Sequence, residues 1–197
     1  MISRQNPLLL ETIRCENGIL GNLPYHQKRV DRSRNDLFGL KDKLELSSVL
    51  KAPKNGLYRC RLLYGREIIS IQYLPYTPKE IHTIKVLAAD IDYPYKYADR
   101  TELDTLLRSH PDADEIIIEQ KGLITDTTIS NIAFFDGEKW VTPDQPLLEG
   151  TMRAKLIDEG FLHPEKIHSS RIRQYQQVAL TNAMIGFKII KPTIIAP

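Results

Sequence analysis

The pattern of apolar and polar positions predicts an antiparallel hairpin near the start of the chain. Within residues 8–20, apolar runs flank Asn17-Gly18, and both residues of this pair tolerate positive φ. From Pro24 the pattern changes to a roughly helical spacing that ends at Gly39, a candidate C-terminal cap. The chain is therefore predicted to open with two strands and one helix of about four turns.

The remaining pattern alternates short strands with helices. Strands are predicted over residues 57–64, 67–73, 81–89, 114–119, 129–135, 139–142 and 178–181. Helices or helical turns are predicted over residues 42–51, 97–110, 151–159 and 164–175. This mixture predicts an α+β fold. Residues 74–78 contain two prolines and no apolar period, which predicts a linker between a small N-terminal domain, residues 1–76, and a larger C-terminal domain, residues 77–197.

Composition narrows the class of protein. The chain has 197 residues, 42% of them apolar and 26% charged, which is typical of a globular protein. Its formal net charge of +2 is too small to indicate a nucleic-acid or membrane partner. The two cysteines, Cys15 and Cys60, form neither a disulfide framework nor a metal motif. We therefore expect a cytoplasmic protein.

Several familiar site motifs are missing from the sequence. The five histidines fall in separate predicted elements, without the close pairing that zinc sites show, so we expect no metal site. There is no phosphate-binding loop, no dinucleotide-binding glycine motif and no Gly-x-Ser-x-Gly turn. Simple hydrolase and nucleotide-binding functions are therefore disfavoured.

A few residues are candidates for chemistry, each with an ordinary alternative. Lys96 lies between two tyrosines, where a partly apolar pocket would favour a reactive amine, although a surface lysine packed on rings is commoner. Arg59 and Arg61 share one strand face and could hold a carboxylate, or could simply be exposed. Asp126 lies in a predicted polar turn, and Thr151 begins a helix that could bind phosphate or merely be capped.

The order of the motifs resembles class IV aminotransferase-like, pyridoxal-phosphate-dependent proteins over nearly the whole chain. The N-terminal matches are Glu11-Thr12-Ile13-Arg14, Asn17-Gly18, Tyr25-His26, Arg29, Ser33 and Leu37-Phe38-Gly39. The C-terminal matches are Lys96-x-x-x-Arg100, Gly122-x-x-Thr125-Asp126, Ser130-Asn131-Ile132, Asp136-Gly137, Thr142-Pro143, Gly150-x-x-Arg153 and Thr181-Asn182-Ala183-Met184-Ile185-Gly186. Each motif alone is weak, but their ordered combination is specific.

This resemblance implies a two-domain, D-amino-acid aminotransferase-like fold with a shortened N-terminal domain, and a homodimer that binds pyridoxal 5'-phosphate. Lys96 would bond covalently to the cofactor and move the proton at the substrate Cα. Asp126 would pair with the ring nitrogen, in place of the usual, longer glutamate. The implied phosphate contacts are Arg29 and the backbone at Thr151, Met152, Asn182 and Ala183.

Within the family, the motif that begins at Thr181 and the spacing of Lys96 and Arg100 look most like those of 4-amino-4-deoxychorismate lyases. Such an enzyme makes 4-aminobenzoate and pyruvate and serves folate synthesis. The alternatives are an aminotransferase for branched-chain or D-amino acids, and a non-catalytic relative that binds the cofactor or acts as a scaffold.

Overall fold

A computed structural model describes residues 6–195 of the chain. Contacts between Cα atoms divide these residues into two units. The first unit contains the described residues up to Pro78 together with Tyr95–Asp99, and the second contains Lys79–Pro94 and the described residues from Arg100 onward. The break after Pro78 lies close to the predicted linker. Lys96, which the sequence predicted in the C-terminal domain, instead belongs to the first unit.

The first unit is a four-stranded antiparallel sheet with helices. Its elements are β1 (Leu9–Glu16), β2 (Ile19–Leu20), α1 (Leu23–Phe38), α2 (Leu46–Val49), β3 (Leu57–Tyr64) and β4 (Ile68–Pro75). The strands lie in the order β2-β1-β3-β4. Asn17 and Gly18 have φ values of 48° and 84°, as the predicted hairpin turn requires. Gly39 ends α1 with φ of 68°, so the predicted helix and its cap are both present.

Backbone pairing explains why Lys96 belongs to the first unit. The Leu10 N–H donates to the Lys96 carbonyl at 2.9 Å, and the Ala98 N–H donates to the Leu8 carbonyl at 2.8 Å. Leu9 and Tyr97 form an antiparallel bridge between these bonds. The residues around Lys96 therefore extend the sheet beside the first half of β1, a long-range pairing that local sequence patterns do not encode.

The second unit contains two sheets. Its elements are β5 (Thr83–Ala88), α3 (Thr101–Arg108), β6 (Glu115–Gln120), β7 (Leu123–Thr127), β8 (Asn131–Phe135), β9 (Trp140–Pro143), α4 (Thr151–Asp158), β10 (Leu162–Glu165), a 3-10 helix (Ser169–Gln174), β11 (Gln177–Asn182), β12 (Gly186–Ile190) and β13 (Thr193–Ile195). One sheet has the order β10-β9-β8-β11-β12, and the other has the order β13-β5-β6-β7.

The core of the second unit is built from strand residues of both sheets. It includes fully buried Ile84, Ile117, Ile132 and Phe134. Two sequence predictions for the second unit differ from the structure. Residues 164–175, predicted as helical turns, contain the end of β10 and the 3-10 helix. Asp126, predicted in a turn, lies on β7, where the carboxylate is buried.

Within residues 6–195, every helix is too short or too polar to cross a membrane.

Candidate functional site

Helix α1 of the first unit buries polar side chains instead of an apolar stripe. His26, Arg29, Ser33 and Arg34 are all buried on this helix, together with Val30. A buried arginine or histidine is costly unless it is paired and hydrogen-bonded. The partner must therefore come from the sheet on which this helix packs.

That partner is Glu11 on β1, whose side chain is 0% exposed. Arg29 donates from Nε to Oε1 at 2.8 Å and from Nη2 to Oε2 at 2.6 Å, the two-point geometry that makes arginine–carboxylate pairs strong. His26 Nδ1 lies 2.5 Å from Oε2. Burial raises the pKa of Glu11, but the Arg29 charge and the His26 hydrogen bond outweigh burial and lower the pKa to about 2. Glu11 is therefore a permanent anion.

Lys96 lies near this cluster within the first unit. Burial lowers the pKa of His26, the Glu11 hydrogen bond opposes that shift, and the charges of Arg29 and Lys96 lower it further. His26 is therefore close enough to respond to the Lys96 charge. Lys96 is half-buried, and the flanking Tyr95 and Tyr97 rings meet edge to face with centroids 6.0 Å apart.

The structure brings Arg29 and Lys96, two of the predicted cofactor residues, into the same unit. Arg29 is held rigidly by Glu11, and contact with a phosphate remains a prediction. The Glu11 and His26 partners were not predicted as site residues. A signal was available, because alternation along β1 places Glu11 on the same face as fully buried Leu9 and Ile13.

The opposite face of the same sheet carries arginines. Arg14 on β1 lies directly opposite Arg59 on β3, and Arg61 lies opposite Thr12. Like charges directly opposite each other destabilise a strand pair. Glu16 offsets the charge of Arg14, which donates to its Oε2 from Nη2 at 2.9 Å. The Nε atom of Arg59 is buried, and it has no hydrogen-bond partner among the described residues.

The second unit contains the predicted ring-nitrogen partner, Asp126, which is 4% exposed. Its Oδ1 accepts from the Asn131 side-chain amide at 2.6 Å, and its Oδ2 accepts from the Leu148 N–H at 2.9 Å. Burial raises the pKa of Asp126 to about 7, although these donors and the charge of Arg153 oppose the rise. This carboxyl group can therefore change its protonation state near neutral pH.

The start of α4 lies beside this carboxylate. Gly150 is the N-cap of α4 and supplies no side-chain cap to the first turn, which contains Thr151 and Met152. A Cβ atom added at Gly150 would come 1.9 Å from Asn131 Oδ1, so only glycine fits here without a rearrangement. Arg153 is anchored by donating from Nη2 to the Pro143 carbonyl at 2.8 Å.

The predicted Asn182-Ala183 turn is also preorganised. The Asn182 amide donates to Ser130 Oγ at 2.8 Å, and its oxygen accepts from the N–H groups of Met184 and Ile185 at 2.9 and 3.0 Å. Thr181, which precedes this turn, pairs with Asn131 across β11 and β8. The second unit thus brings together the predicted residues Asp126, Thr151, Met152, Asn182 and Ala183.

Two buried polar atoms of the second unit indicate that an anionic ligand fits there. The Thr181 hydroxyl and Arg153 Nε have no hydrogen-bond partner within residues 6–195, whereas buried polar atoms are normally paired. The uncapped first turn of α4 adds backbone N–H groups with a positive dipole. Hydroxyl, guanidinium and backbone donors are a suitable set for a phosphate-bearing cofactor such as pyridoxal phosphate.

Comparisons with known proteins identify the family. The sequence profile of the family "Amino-transferase class IV" matches residues 8–191. An uncharacterized protein of Haemophilus influenzae is 39% identical over 184 residues, which cover 90% of this chain and 98% of the relative. A Schizosaccharomyces pombe protein provisionally named aminodeoxychorismate lyase is 32% identical over 88 residues, or 40% of this chain and 38% of its own length.

Solved structures show the same fold. A Haemophilus somnus 129pt protein, provisionally named 4-amino-4-deoxychorismate lyase, is 39% identical with a TM-score of 0.82, and the match covers 92% of this chain and 98% of that protein. A Thermotoga maritima protein, provisionally named branched-chain amino acid aminotransferase, has a TM-score of 0.79 at 20% identity, with coverage of 95% and 77%. The second likeness concerns the fold alone.

Proposed function

The chain belongs to the class IV aminotransferase family of pyridoxal-phosphate-dependent enzymes, and from this premise we propose that it is a lyase converting 4-amino-4-deoxychorismate to 4-aminobenzoate and pyruvate. The family and the fold predicted from the sequence are confirmed. Pyridoxal phosphate, the predicted cofactor, is the cofactor of this family. Its contacts with individual residues, and the reaction itself, are proposals.

We assign the cofactor contacts by role. Asp126 pairs with the ring nitrogen, and the start of α4 and the Asn182-Ala183 turn bind the phosphate, together with Arg29. The cofactor supplies an electron sink for the carbon that bears the substrate amino group. The support for Asp126 is that its neighbours hold it in one orientation while its pKa lies near 7, which allows it to bind a cationic ring nitrogen as a carboxylate.

Lys96 moves the substrate proton. Its amine would hold the cofactor, and it would accept the proton from the carbon that bears the substrate amine. The carbon–oxygen bond on the neighbouring carbon would then break, so that the pyruvate group leaves with its oxygen and an aromatic ring remains. The location of Lys96 beside the buried cluster of Glu11, His26 and Arg29 supports this role, because backbone bonds to β1 restrict its position.

The arginine face of the first unit favours the lyase over an amino-acid transaminase. 4-Amino-4-deoxychorismate carries two carboxylates, whereas a branched-chain amino acid carries one carboxylate and an apolar side chain. Arg59 and Arg61 lie on one face of this sheet, and the two would pair well with a dianion, whereas the neighbouring Arg14 is already paired with Glu16. The provisional lyase names of the Haemophilus somnus and Schizosaccharomyces pombe relatives support the same choice.

The cofactor assignment is tested by reconstitution. We expect purified protein mixed with pyridoxal phosphate to show a visible absorption band, and borohydride reduction to leave the cofactor mass on Lys96. Lys96→Ala should lose both signals. Lys85→Ala, which removes another half-buried lysine, is the matched control. A wild-type protein that stays colourless at saturating cofactor would overturn the proposal.

The reaction is tested by its products. With 4-amino-4-deoxychorismate we expect equimolar 4-aminobenzoate and pyruvate, and Arg59→Gln should raise KM about 10- to 100-fold because a charge-assisted contact is lost. Glu67→Gln, an exposed substitution on the β3–β4 turn, should leave KM unchanged. Amino-group transfer from a branched-chain or D-amino acid to a keto acid, without pyruvate from aminodeoxychorismate, would instead identify a transaminase.

A further inference from the structure

Asn131 connects two parts of the second unit that the proposed function assigns to the cofactor. Its side-chain amide donates to Asp126 Oδ1 at 2.6 Å and also to the Leu148 carbonyl at 2.8 Å. The Leu148 N–H in turn donates to Asp126 Oδ2 at 2.9 Å. These three bonds form a closed ring among Asp126, Asn131 and Leu148, and the ring ties β7 and β8 to the loop that precedes α4.

The amide oxygen of Asn131 faces the other direction, toward the start of α4. A Cβ atom at Gly150 would lie 1.9 Å from Asn131 Oδ1 and 3.1 Å from its Cγ. Gly150 has φ of −69° and ψ of 142°, a conformation that any residue can adopt. The glycine is therefore needed for the close approach of Asn131 and not for its backbone conformation.

The ring also matches the length of the Asp126 side chain. An aspartate has one side-chain torsion fewer, and each of its oxygens has its own donor, so the direction of the Asp126 carboxylate is fixed before any ligand binds. A longer side chain at this position would push its carboxylate past Asn131 or the Leu148 N–H.

We propose that Asn131 is a positioning residue that holds the Asp126 carboxylate and the start of α4 in one arrangement for the cofactor. The inference rests on the proposed function, because both held groups are cofactor contacts only under that proposal. A purely structural asparagine would affect folding stability alone. A positioning residue also affects the protonation of the cofactor ring nitrogen and the affinity for the phosphate.

The first test compares Asn131→Ala with Asn35→Ala. Asn35 is a matched control because its amide also donates to a neighbouring carboxylate, that of Asp36, but at an exposed position. The readouts are the Kd for pyridoxal phosphate, from its visible absorbance, and the pH at which the ring nitrogen loses its proton, from NMR of nitrogen-labelled cofactor.

We expect Asn131→Ala to raise Kd about tenfold or more, since hydrogen bonds to charged groups carry free energies of that order. The ring nitrogen should also lose its proton at a lower pH than in the wild type, because Asp126 is no longer held. Asn35→Ala should change neither quantity. An unchanged ring-nitrogen titration in Asn131→Ala would overturn the inference, whatever happens to Kd.

The second test uses the close approach between Gly150 and Asn131. It compares the effect of Gly150→Ala in the wild type with its effect in Asn131→Ala, so a loss of stability in one variant alone does not decide the outcome. Gly150→Ala should raise Kd and lower the Tm of the cofactor-free protein, because the added methyl displaces Asn131. In an Asn131→Ala background the same substitution should cost much less, since the colliding amide is gone. Additive effects on both Kd and Tm would contradict the coupling that the inference requires.

These outcomes separate the two proposals. A wild-type protein that binds no pyridoxal phosphate would overturn the proposed function. Wild-type protein that binds the cofactor normally, with Asn131→Ala indistinguishable from Asn35→Ala in affinity and in ring-nitrogen titration, would overturn the positioning role alone.

Discussion

Each unit of the molecule buries one carboxylate of functional interest, and the two are held in opposite ways. Glu11 is 0% exposed and faces the Arg29 guanidinium and His26, whereas Asp126 is 4% exposed and accepts hydrogen bonds from the neutral Asn131 amide and a backbone N–H. Burial raises the pKa of both, yet the pKa of Glu11 falls to about 2 and that of Asp126 rises to about 7. The hydrogen-bonded charge of Arg29 therefore decides the result for Glu11, whereas the Arg153 charge, which has no hydrogen bond to Asp126, does not offset burial.

The difference in pKa suits Glu11 and Asp126 to two different tasks. An ionised Glu11 compensates the charge of Arg29 and links α1 to β1. A carboxyl group whose pKa lies near 7 responds to its ligand, because a cationic ring nitrogen would favour the ionised form of Asp126. The first carboxylate is fixed, and the second is adjustable.

Breaking the Glu11 cluster is expected to have the largest effect on stability. Glu11→Ala leaves Arg29 buried without its anion, so we expect the free energy of unfolding to fall by about 3–5 kcal/mol, measured by urea denaturation of the cofactor-free protein. Glu16→Ala on the same strand removes the partly exposed ion pair between Arg14 and Glu16. This change should lower the free energy of unfolding by at most about 1 kcal/mol. Equal costs for the two variants would mean that the Glu11 cluster adds nothing beyond a surface pair.

The pH dependence of stability should separate the two carboxylates. The folded pKa of Glu11 is below its ordinary value of 4.5, so its contribution, about 3 kcal/mol, is present above pH 4.5 and is lost as pH falls toward 2. The folded pKa of Asp126 is above its ordinary value of 3.8, so the folded state binds the extra proton, and stability falls as pH rises from about 4 to 7.

NMR of carbon-labelled carboxyl groups in the cofactor-free protein measures both titrations directly. Glu11→Gln and Asp126→Asn identify the two signals by their disappearance. We expect the Glu11 signal to remain in its ionised position down to acid unfolding and the Asp126 signal to titrate near neutral pH. If both signals titrated near pH 4, the contrast between charged and neutral partners would be wrong.

Lengthening the Asp126 side chain should have an intermediate effect on the free energy of unfolding. Asp126→Glu adds a methylene to a buried site whose two oxygens are both anchored, so we expect a loss of about 1–3 kcal/mol from overpacking in the cofactor-free protein. Cofactor affinity should fall as well. Asp144→Glu, at an exposed position, is the control. A stable Asp126→Glu variant with unchanged affinity would show that the ring of hydrogen bonds does not select aspartate.

Local chemistry made much of the fold predictable from the sequence. Asn17, Gly18 and Gly39 tolerate the positive φ that a tight hairpin turn and a helix end require, so both features could be located from residue type. The position of Lys96 could not, because its pairing with Leu8 and Leu10 joins residues far apart in the chain. The strand around Asp126 was also missed, since Thr125, Asp126 and Thr127 are polar residues that the structure nevertheless buries.

The same limits apply to the candidate site. The resemblance to a family identified Lys96, Arg29 and Asp126 by type and spacing, which depend on sequence alone. The partners Glu11 and Asn131 depend on which side chains meet in three dimensions. For Glu11 the face alternation of β1 was a usable signal, whereas the contact of Asn131 with Gly150 becomes apparent only once α4 is placed beside β8.

A third buried carboxylate, Glu115, allows the smallest and most specific test of the comparison. It is 1% exposed, and burial raises its pKa against hydrogen bonds from Thr128 and from the Ile116 N–H. All of these donors bind Oε1, so Oε2 can carry a proton or an amide group without losing a hydrogen bond, unlike either oxygen of Asp126.

We therefore expect Glu115→Gln to change the free energy of unfolding by less than about 1 kcal/mol at pH 5. Because the pKa of Glu115 is raised, ionising this carboxyl costs the folded wild type stability, so the variant should gain stability relative to the wild type between pH 5 and pH 8. Urea denaturation at both pH values, with exposed Glu138→Gln as control, measures this. A large loss at pH 5 would mean that Oε2 has an acceptor role of its own, and that neutral partners can hold a buried carboxylate as an anion after all.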